Sequence, residues 1–460
     1  MELGLELGLG FAFPLGGILL PSMTPSSAPR AGRAELPLVA RYTRALHLRA
    51  ELLNNVFAAI LGLAGIVARK GLGTGEIGIT ILATAGAASN LTAIFWSRMM
   101  EGRPKRPFII ASALVGRATL LLMAFATSPP LFIALCVLYS LSEPMFIPAQ
   151  NALLQANYDP SIRGRVFGSI TGLSKLTFLA AAIGGGLMLK WRPESYLWMF
   201  PAAGVIGTIS YLQYAAIRIR RRETPSVAVT PVASAGAVRE FFRILRNDRD
   251  FDRFERNFMF YGMAFMIVLP VHVYLMVDEL RMDYWTYTAC QLVLVQIIIG
   301  FASRGAGRLL DSIGPTRLAS FSFAALVLYA ATLAASAVFS SVFLAFAGFA
   351  FFGLGMAGVN AAWSLGAMRF AGERDAAAYM GAHVACVGVR GLLGPVIGTA
   401  IVLAMADEKV GLARWGIPTV YVLAALLFGI ASIAMARLHR RLERAKATPA
   451  PVRTPAEAAV

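Results

Sequence analysis

The fold class this sequence predicts is an all-α polytopic membrane protein, and three observations predict it: composition, the spacing of apolar runs and the placement of charge. Apolar residues make up 57% of the 460 residues and charged residues only 15%, and mean hydropathy is +0.66. Soluble chains carry about 25% charged residues. Apolar surface on this scale excludes disorder for the bulk of the chain, and three cysteines exclude a disulfide scaffold. A net charge of +17 first suggests nucleic acid. The basic residues, however, sit in short clusters between apolar runs, the positive-inside pattern of a membrane protein. The expected partner is therefore the lipid bilayer and not a nucleic acid.

A spanning helix needs about 20 mostly apolar residues. Twelve such runs fall near 51–69, 76–97, 107–127, 131–154, 165–189, 196–217, 256–277, 285–304, 316–336, 341–368, 377–404 and 415–436. The period-2 alternation of a barrel is absent, so helices must satisfy the backbone in lipid. With both termini inside, cytoplasmic segments hold 32 of the 42 Lys and Arg residues and outer loops hold 7. Arg117, Lys175 and Arg390 lie within spans. This bias places both termini in the cytoplasm, and the expected location is the cytoplasmic membrane.

The expected organisation is a cytoplasmic tail over 1–50, a six-helix bundle over 51–217, a basic loop over 218–255, a second bundle over 256–436 and a tail over 437–460. Residues 7–20 are apolar, but Glu2 and Glu6 stand where a signal peptide is basic, and Pro14 interrupts the run. A cytoplasmic tail or a start at Met23 is expected instead. Residues 36–49 read as an amphipathic helix leading into the first span. Cys136, Cys290 and Cys386 fall in different spans and read as small packed hydrophobes. No metal set and no cofactor is expected.

The two halves repeat. The loop after span 2 reads Ser97-Arg-Met-Met-Glu101-Gly-Arg103-Pro-Lys105-Arg106, and the loop after span 8 reads Gly307-Arg-Leu309-Leu-Asp311-Ser-Ile-Gly314-Pro-Thr-Arg317, with the acids 210 positions apart. Asn151 in span 4 and Asn360 in span 10 are 209 apart. Glycine-rich stretches at 183–186 and 394–398 mark spans 5 and 11. Two parallel halves around a central site is a transporter plan.

These twelve spans, the doubled loop and the segment PAQNALLQANYDPSIRGRVFG (148–168) resemble the major facilitator superfamily over about 40–440. The loop motif of that family is Gly-x-Leu-x-Asp-Arg-x-Gly-Arg-Arg or close to it. The second copy matches at Gly307, Leu309, Asp311 and Gly314. The first departs at Ser97, Glu101 and Pro104, and matches at Lys105 and Arg106. The resemblance implies that Glu101, Lys105 and Arg106 in one loop, and Gly307, Asp311, Gly314 and Arg317 in the other, form gates that stabilise an outward-open state. An acid at a helix N-terminus gains about 0.3–1 kcal/mol. The plainer alternative for the basic residues is topology signalling alone.

An ionisable residue within a span costs about 2.5–3.5 kcal/mol on insertion scales, so it has a partner or a role. Arg117, Glu143 and Lys175 share a half and lie about 15 Å deep, at 1.5 Å per residue. Glu143 is expected to pair with Arg117 or Lys175, either as a proton-coupling site or as a fixed ion pair. Pro144 follows it and removes a backbone donor. Lys175 and Arg390, one from each half, are candidates to hold an anionic substrate, or are simply satisfied within their helices. The resemblance implies that spans 1, 4, 7 and 10 line the cavity, which adds Asn54, Asn55, Tyr139, Asn151, Tyr261, His272, Asn360 and Trp363. It also puts span 3, with Arg117, outside the cavity. Gln291 and Gln296 in span 8 either face the cavity or join helices.

Two GxGxxG matches, at 73–78 and 353–358, follow no strand and are rejected as dinucleotide sites. No P-loop occurs, so the chain is not expected to hydrolyse ATP or to be an enzyme. The Gly-Pro-x-x-Gly-Gly motif of some superfamily antiporters lacks its proline in span 5, which leaves export open. The resulting expectation is a monomeric secondary transporter of a small molecule, coupled to protons and inclined toward efflux of an amphipathic or anionic compound. Two other classes remain open: a gradient-independent uniporter or amphiphile flippase, and a transporter-like subunit that moves nothing.

Overall fold

In the computed structural model, the described residues are 37–100, 103–218, 243, 245–371, 376–406 and 415–447. Among them there is no strand. Ten helices are long and apolar enough to cross a membrane. We label them with two further helical segments in chain order: α1 (Leu38–Gly71), α2 (76–99), α3 (Arg106–Phe125), α4 (Pro129–Asn157), α5 (Pro160–Trp191), α6 (Tyr196–Ala215), α7 (Arg249–Glu279), α8 (Tyr284–Ile313), α9 (Pro315–Phe339), α10 (Val342–Ala371), α11 (Ala376–Ala404) and α12 (Gly416–Ala447).

α1, α7 and α12 overrun the runs read from hydropathy, each for a local reason. α1 begins at Leu38, so the amphipathic lead-in is continuous with the first span. Its apolar face buries Ala40, Thr43, Leu46 and His47 while Arg41 and Arg44 stay exposed. α7 begins at Arg249, capped by the Asp248 side chain, which accepts the Phe251 N–H at 3.0 Å. Its polar first turns are held by Asp250–Arg253 and Asp252–Arg256 pairs, both at 2.7 Å. α12 runs on to Ala447, and Arg441 reaches back to Asp250 at 3.0 Å.

α1–α6 and α7–α12 form two six-helix bundles. In the first, α1 packs on α5 and α6; in the second, α7 packs on α11 and α12. The bundles meet along α2 against α11 and α5 against α8. Small residues permit this approach: a methyl on Gly391 would collide with Ala87, and one on Gly186 would meet Thr288 at 2.7–2.9 Å.

The ends of α1 and α7 match. Each closes in a π turn, over Val67–Gly71 and Tyr274–Glu279. Each then reverses through a left-handed residue, Gly73 at φ 66° and Arg281 at φ 47°. Glycine adopts that conformation without strain, and a side chain does not. Gly314, from the doubled loop motif, likewise turns the chain from α8 into α9 at φ 76°.

Candidate functional site

The first bundle encloses an ion pair. Glu143 on α4 is brought to Arg117 and not to Lys175, with Nε–Oε1 at 3.3 Å and Nη2–Oε2 at 3.4 Å. Tyr211 on α6 donates its hydroxyl to Oε2 of Glu143 at 2.7 Å. Arg117 closes a π turn over Ala113–Arg117, and its guanidinium lies over the rings of Tyr211 and Phe57 at 3.5 and 4.1 Å. Its Nη1 donates to the Gly207 carbonyl at 3.4 Å, and a methyl on Gly207 would press on Phe57 and Arg117. A guanidinium does not deprotonate in a protein. Glu143 therefore faces a permanent counter-charge. α4 remains helical through Pro144 and Pro148.

Three residues beyond Tyr211, Tyr214 donates to a second buried carboxylate, Glu51 on α1. Glu51 is 1% exposed. Asn55 donates to its Oε2 at 3.3 Å and Gln150 to its Oε1 at 3.4 Å. Lys175, half-buried and over the Phe178 ring at 5.3 Å, lies within electrostatic reach of Glu51. Phe146 fixes both tyrosines, stacked on Tyr211 at 3.6 Å and edge-on to Tyr214 at 5.2 Å. Sequence reasoning missed Glu51 because it is the first residue of the first apolar run, where a charge reads as the edge of a span. The available signal was Glu51 one turn before Asn55, on the face that carries the apolar stripe.

The second bundle has its own buried carboxylate, also missed. Glu255 on α7 is 2% exposed. It accepts from His383 Nδ1 on α11 at 2.8 and 2.9 Å. Trp363 stands edge-on to the imidazole at 4.9 Å. Arg390, two turns along α11, is fully enclosed between α7 and α11. Its Nη1 donates to the Phe258 carbonyl at 2.8 Å, and its guanidinium lies against Gly262. Glu255 was missed for the same reason as Glu51, since it was assigned to the end of the basic loop.

The remaining cavity candidates are mostly enclosed by their own bundles. Tyr139 packs on Phe57 at 5.4 Å, and Tyr261 stacks on Phe323 at 4.7 Å. His272 bonds to Tyr329 and sits among Tyr329, Phe349 and Tyr421. Asn54, Asn360 and Trp363 are buried.

The two bundles are latched at the ends of α1 and α7. Arg69 donates through Nε to both oxygens of Asp278 at 3.0 Å and through Nη1 to the Thr74 carbonyl at 2.7 Å. Its Nη2 donates to Glu76 at 2.8 Å. Lys70 donates to the Met282 carbonyl at 2.9 Å, and Lys190 pairs with Asp283 at 3.1 Å. All these polar contacts lie on the side away from the chain termini. On the terminal side, Asp311 and Arg317 are exposed, and Arg317 lies over Phe321 at 5.8 Å. Lys105 donates to the Met100 and Arg103 carbonyls, and Arg106 opens α3. Gly307 lies within α8. Glu101 lies outside the described residues. The molecule is closed on the far side by a cation shared among three acceptors.

No curated protein sequence matches the chain. Among solved structures, the nucleoside transporter NupG superposes with a TM-score of 0.59 at 15% identity, covering 87% of this chain and 99% of that one. A bacterial homolog of the human lysosomal transporter Spinster, inward-facing and unoccupied, gives 0.62 at 12% identity, covering 90% and 100%. A POT family transporter in complex with 5-aminolevulinic acid gives 0.66 at 9% identity, covering 90% and 98%. These likenesses show a shared fold. The sequence itself matches the family model of the Major Facilitator Superfamily over residues 50–395, and the chain belongs to that superfamily of membrane transporters.

Proposed function

We propose that the chain is a proton-coupled secondary transporter of a small molecule, held here in its inward-facing state, with Glu51 as the coupling carboxylate. The observation that carries this reading is the contrast between two glutamates of one bundle, Glu143 partly buried and Glu51 fully buried. Glu143 is clamped by an arginine that cannot lose its charge. Its protonation would leave Arg117 buried without a counter-ion, a cost of several kcal/mol. That favours the fixed ion-pair role for Glu143. Glu51 is held by neutral donors from Tyr214, Asn55 and Gln150. A hydroxyl can accept as readily as donate, so Glu51 takes a proton without breaking a hydrogen-bonded ion pair.

The charge bias puts the termini in the cytoplasm, so the latched side faces outward and the exposed Asp311 loop faces inward. Protonation of Glu51 changes what α6 and α5 hold against α1. It thereby biases the equilibrium between the two access states. The cavity candidates read from the sequence include few polar groups suited to a sugar, which supports an amphipathic or anionic substrate and export.

The test uses protein reconstituted in liposomes. A panel of lipophilic cations, organic anions, nucleosides and sugars is first ranked by thermal shift, where a hundredfold excess over Kd adds about 2.7 kcal/mol of stability. Flux of the best ligand is then followed under a pH gradient. Glu51→Gln is expected to melt cooperatively and to lose the pH dependence of flux. Unchanged pH dependence in Glu51→Gln would sink the assignment.

A further inference from the structure

Each bundle sets a buried carboxylate of its first helix near a base of its fifth. Glu51 and Glu255 are 204 positions apart on the first helix of each half, and Lys175 and His383 are 208 apart on the fifth. Repeated placement of an acid facing a base is the feature the duplication retained. The chemistry of the second pair differs. A carboxylate accepts only, so Nδ1 of His383 carries its hydrogen toward Glu255 and the lone pair resides on Nε2. Among the described residues, Nε2 is fully buried with no hydrogen-bond partner, as is Nε1 of the adjoining Trp363. Buried polar atoms in native proteins are normally satisfied. An unpartnered imidazole nitrogen backed by a carboxylate is therefore a place built to receive something.

The surrounding charges frame what that is. On α11, Tyr379 donates to Asp248 at 3.0 Å, Cys386 lies near Glu255, and Arg390 lies two turns further on. On α7, Asp252 is taken by Arg256, and on α12, Arg441 is taken by Asp250. α10 presents Trp363 to the imidazole, and on α9 Phe323 packs on Phe258. Glu255 and Arg390 cancel formally, with His383 neutral. An added proton on Nε2 makes imidazolium beside carboxylate, a pair that the buried site accommodates.

We propose that His383, positioned by Glu255, is a second proton-binding site, so that one proton is taken up in each half per transport cycle. This rests on the coupling reading given for Glu51. Spin labels at Arg103→Cys and Ser312→Cys, on terminal-side loops of the two halves, report the inward-facing fraction in liposomes by pulsed distance measurement. With two sites, the ratio of states changes about hundredfold per pH unit in the steep region, against about tenfold for one site. Glu255→Gln and His383→Gln are each expected to reduce the steepness to the one-site value, as is Glu51→Gln. A wild-type steepness of one, abolished by Glu51→Gln and untouched by His383→Gln, overturns this inference alone. Absence of any pH dependence in the wild type overturns both this inference and the coupling reading. If a variant fails to melt cooperatively, nitrogen NMR of histidine-labelled wild type decides. A His383 ring that turns imidazolium with the conformational change supports the site, and one that stays neutral throughout overturns it.

Discussion

The two bundles share a scaffold and diverge in how they neutralise buried charge. In the first, Arg117 saturates Glu143 while two tyrosines on one helix divide their hydroxyls between Glu143 and Glu51. In the second, Arg390 spends its guanidinium on a backbone carbonyl, and Glu255 is left to a histidine. Both arginines are seated on glycine, Gly207 in one half and Gly262 in the other. The lesson is that each half keeps its enclosed charge in balance, while the groups that hold the balance differ in kind and place. One half holds a permanent ion pair beside the acid proposed to switch, and the other the base proposed to switch beside a permanent cation.

The largest effect that would break this comparison is loss of the Arg117–Glu143 pair. Arg117→Met or Glu143→Gln alone should cost about 3–5 kcal/mol, because each leaves a buried charge unmatched, and the double variant should recover most of it. Thermal melting of the detergent-purified proteins measures this. The double variant melting no better than either single one would refute the fixed-pair role.

Next is the latch. Asp278→Asn should remove about 1.5–3 kcal/mol of charged hydrogen bonding to Arg69, moving the population toward outward-open by about tenfold to hundredfold. Distance measurements across the far side test it. Gly262→Ala should cost about 1–3 kcal/mol by overpacking, since the added methyl displaces the Arg390 guanidinium. The loss should disappear in an Arg390→Ala background.

The matched reversals give a smaller and signed pair. Arg281→Gly should stabilise by up to about 1 kcal/mol and Gly73→Ala should destabilise by about as much, both read by melting. The smallest effect concerns the Asp283–Lys190 pair, whose members are 41% and 45% exposed. Partial burial pushes the Asp283 carboxyl up, but the hydrogen bonds from Thr286 and the Lys190 ammonium bring it below its ordinary 3.8. A depressed native value means the contribution is full above pH 3.8 and is lost as the pH falls through the native value. Melting of wild type and Asp283→Asn should therefore differ slightly at neutral pH, by about 0.2–1 kcal/mol, and converge in stronger acid.

Much of the architecture was legible because hydropathy is a direct reading of lipid contact. Spans α2 to α6 and α8 to α11 fall where apolar runs were seen. The partner of Glu143 was legible to within two candidates, because Arg117 and Lys175 share its depth. What was not legible sits at run boundaries. By the hydropathy pattern Glu51 opens the first run and Glu255 ends the basic loop, yet α1 and α7 begin thirteen and six residues ahead of them, which carries both carboxylates into the bundles. The latch was hidden for another reason. Arg69, Glu76 and Asp278 look like ordinary loop charges, and only the folding of two distant turns against each other joins them.

The cancellation of buried charge has an electrical consequence. Arg117 and Lys175 offset Glu51 and Glu143, and Arg390 offsets Glu255, so rocking of the empty protein carries no net charge from these groups through the membrane field. Each bound proton leaves its half with one uncompensated positive charge, and a full crossing of the field is worth about 2.3 kcal/mol per 100 mV. The membrane potential should then act on the proton-loaded leg of the cycle and leave the return leg untouched. Transient currents on a supported membrane should accordingly appear after a pH jump and be absent in Glu51→Gln/His383→Gln.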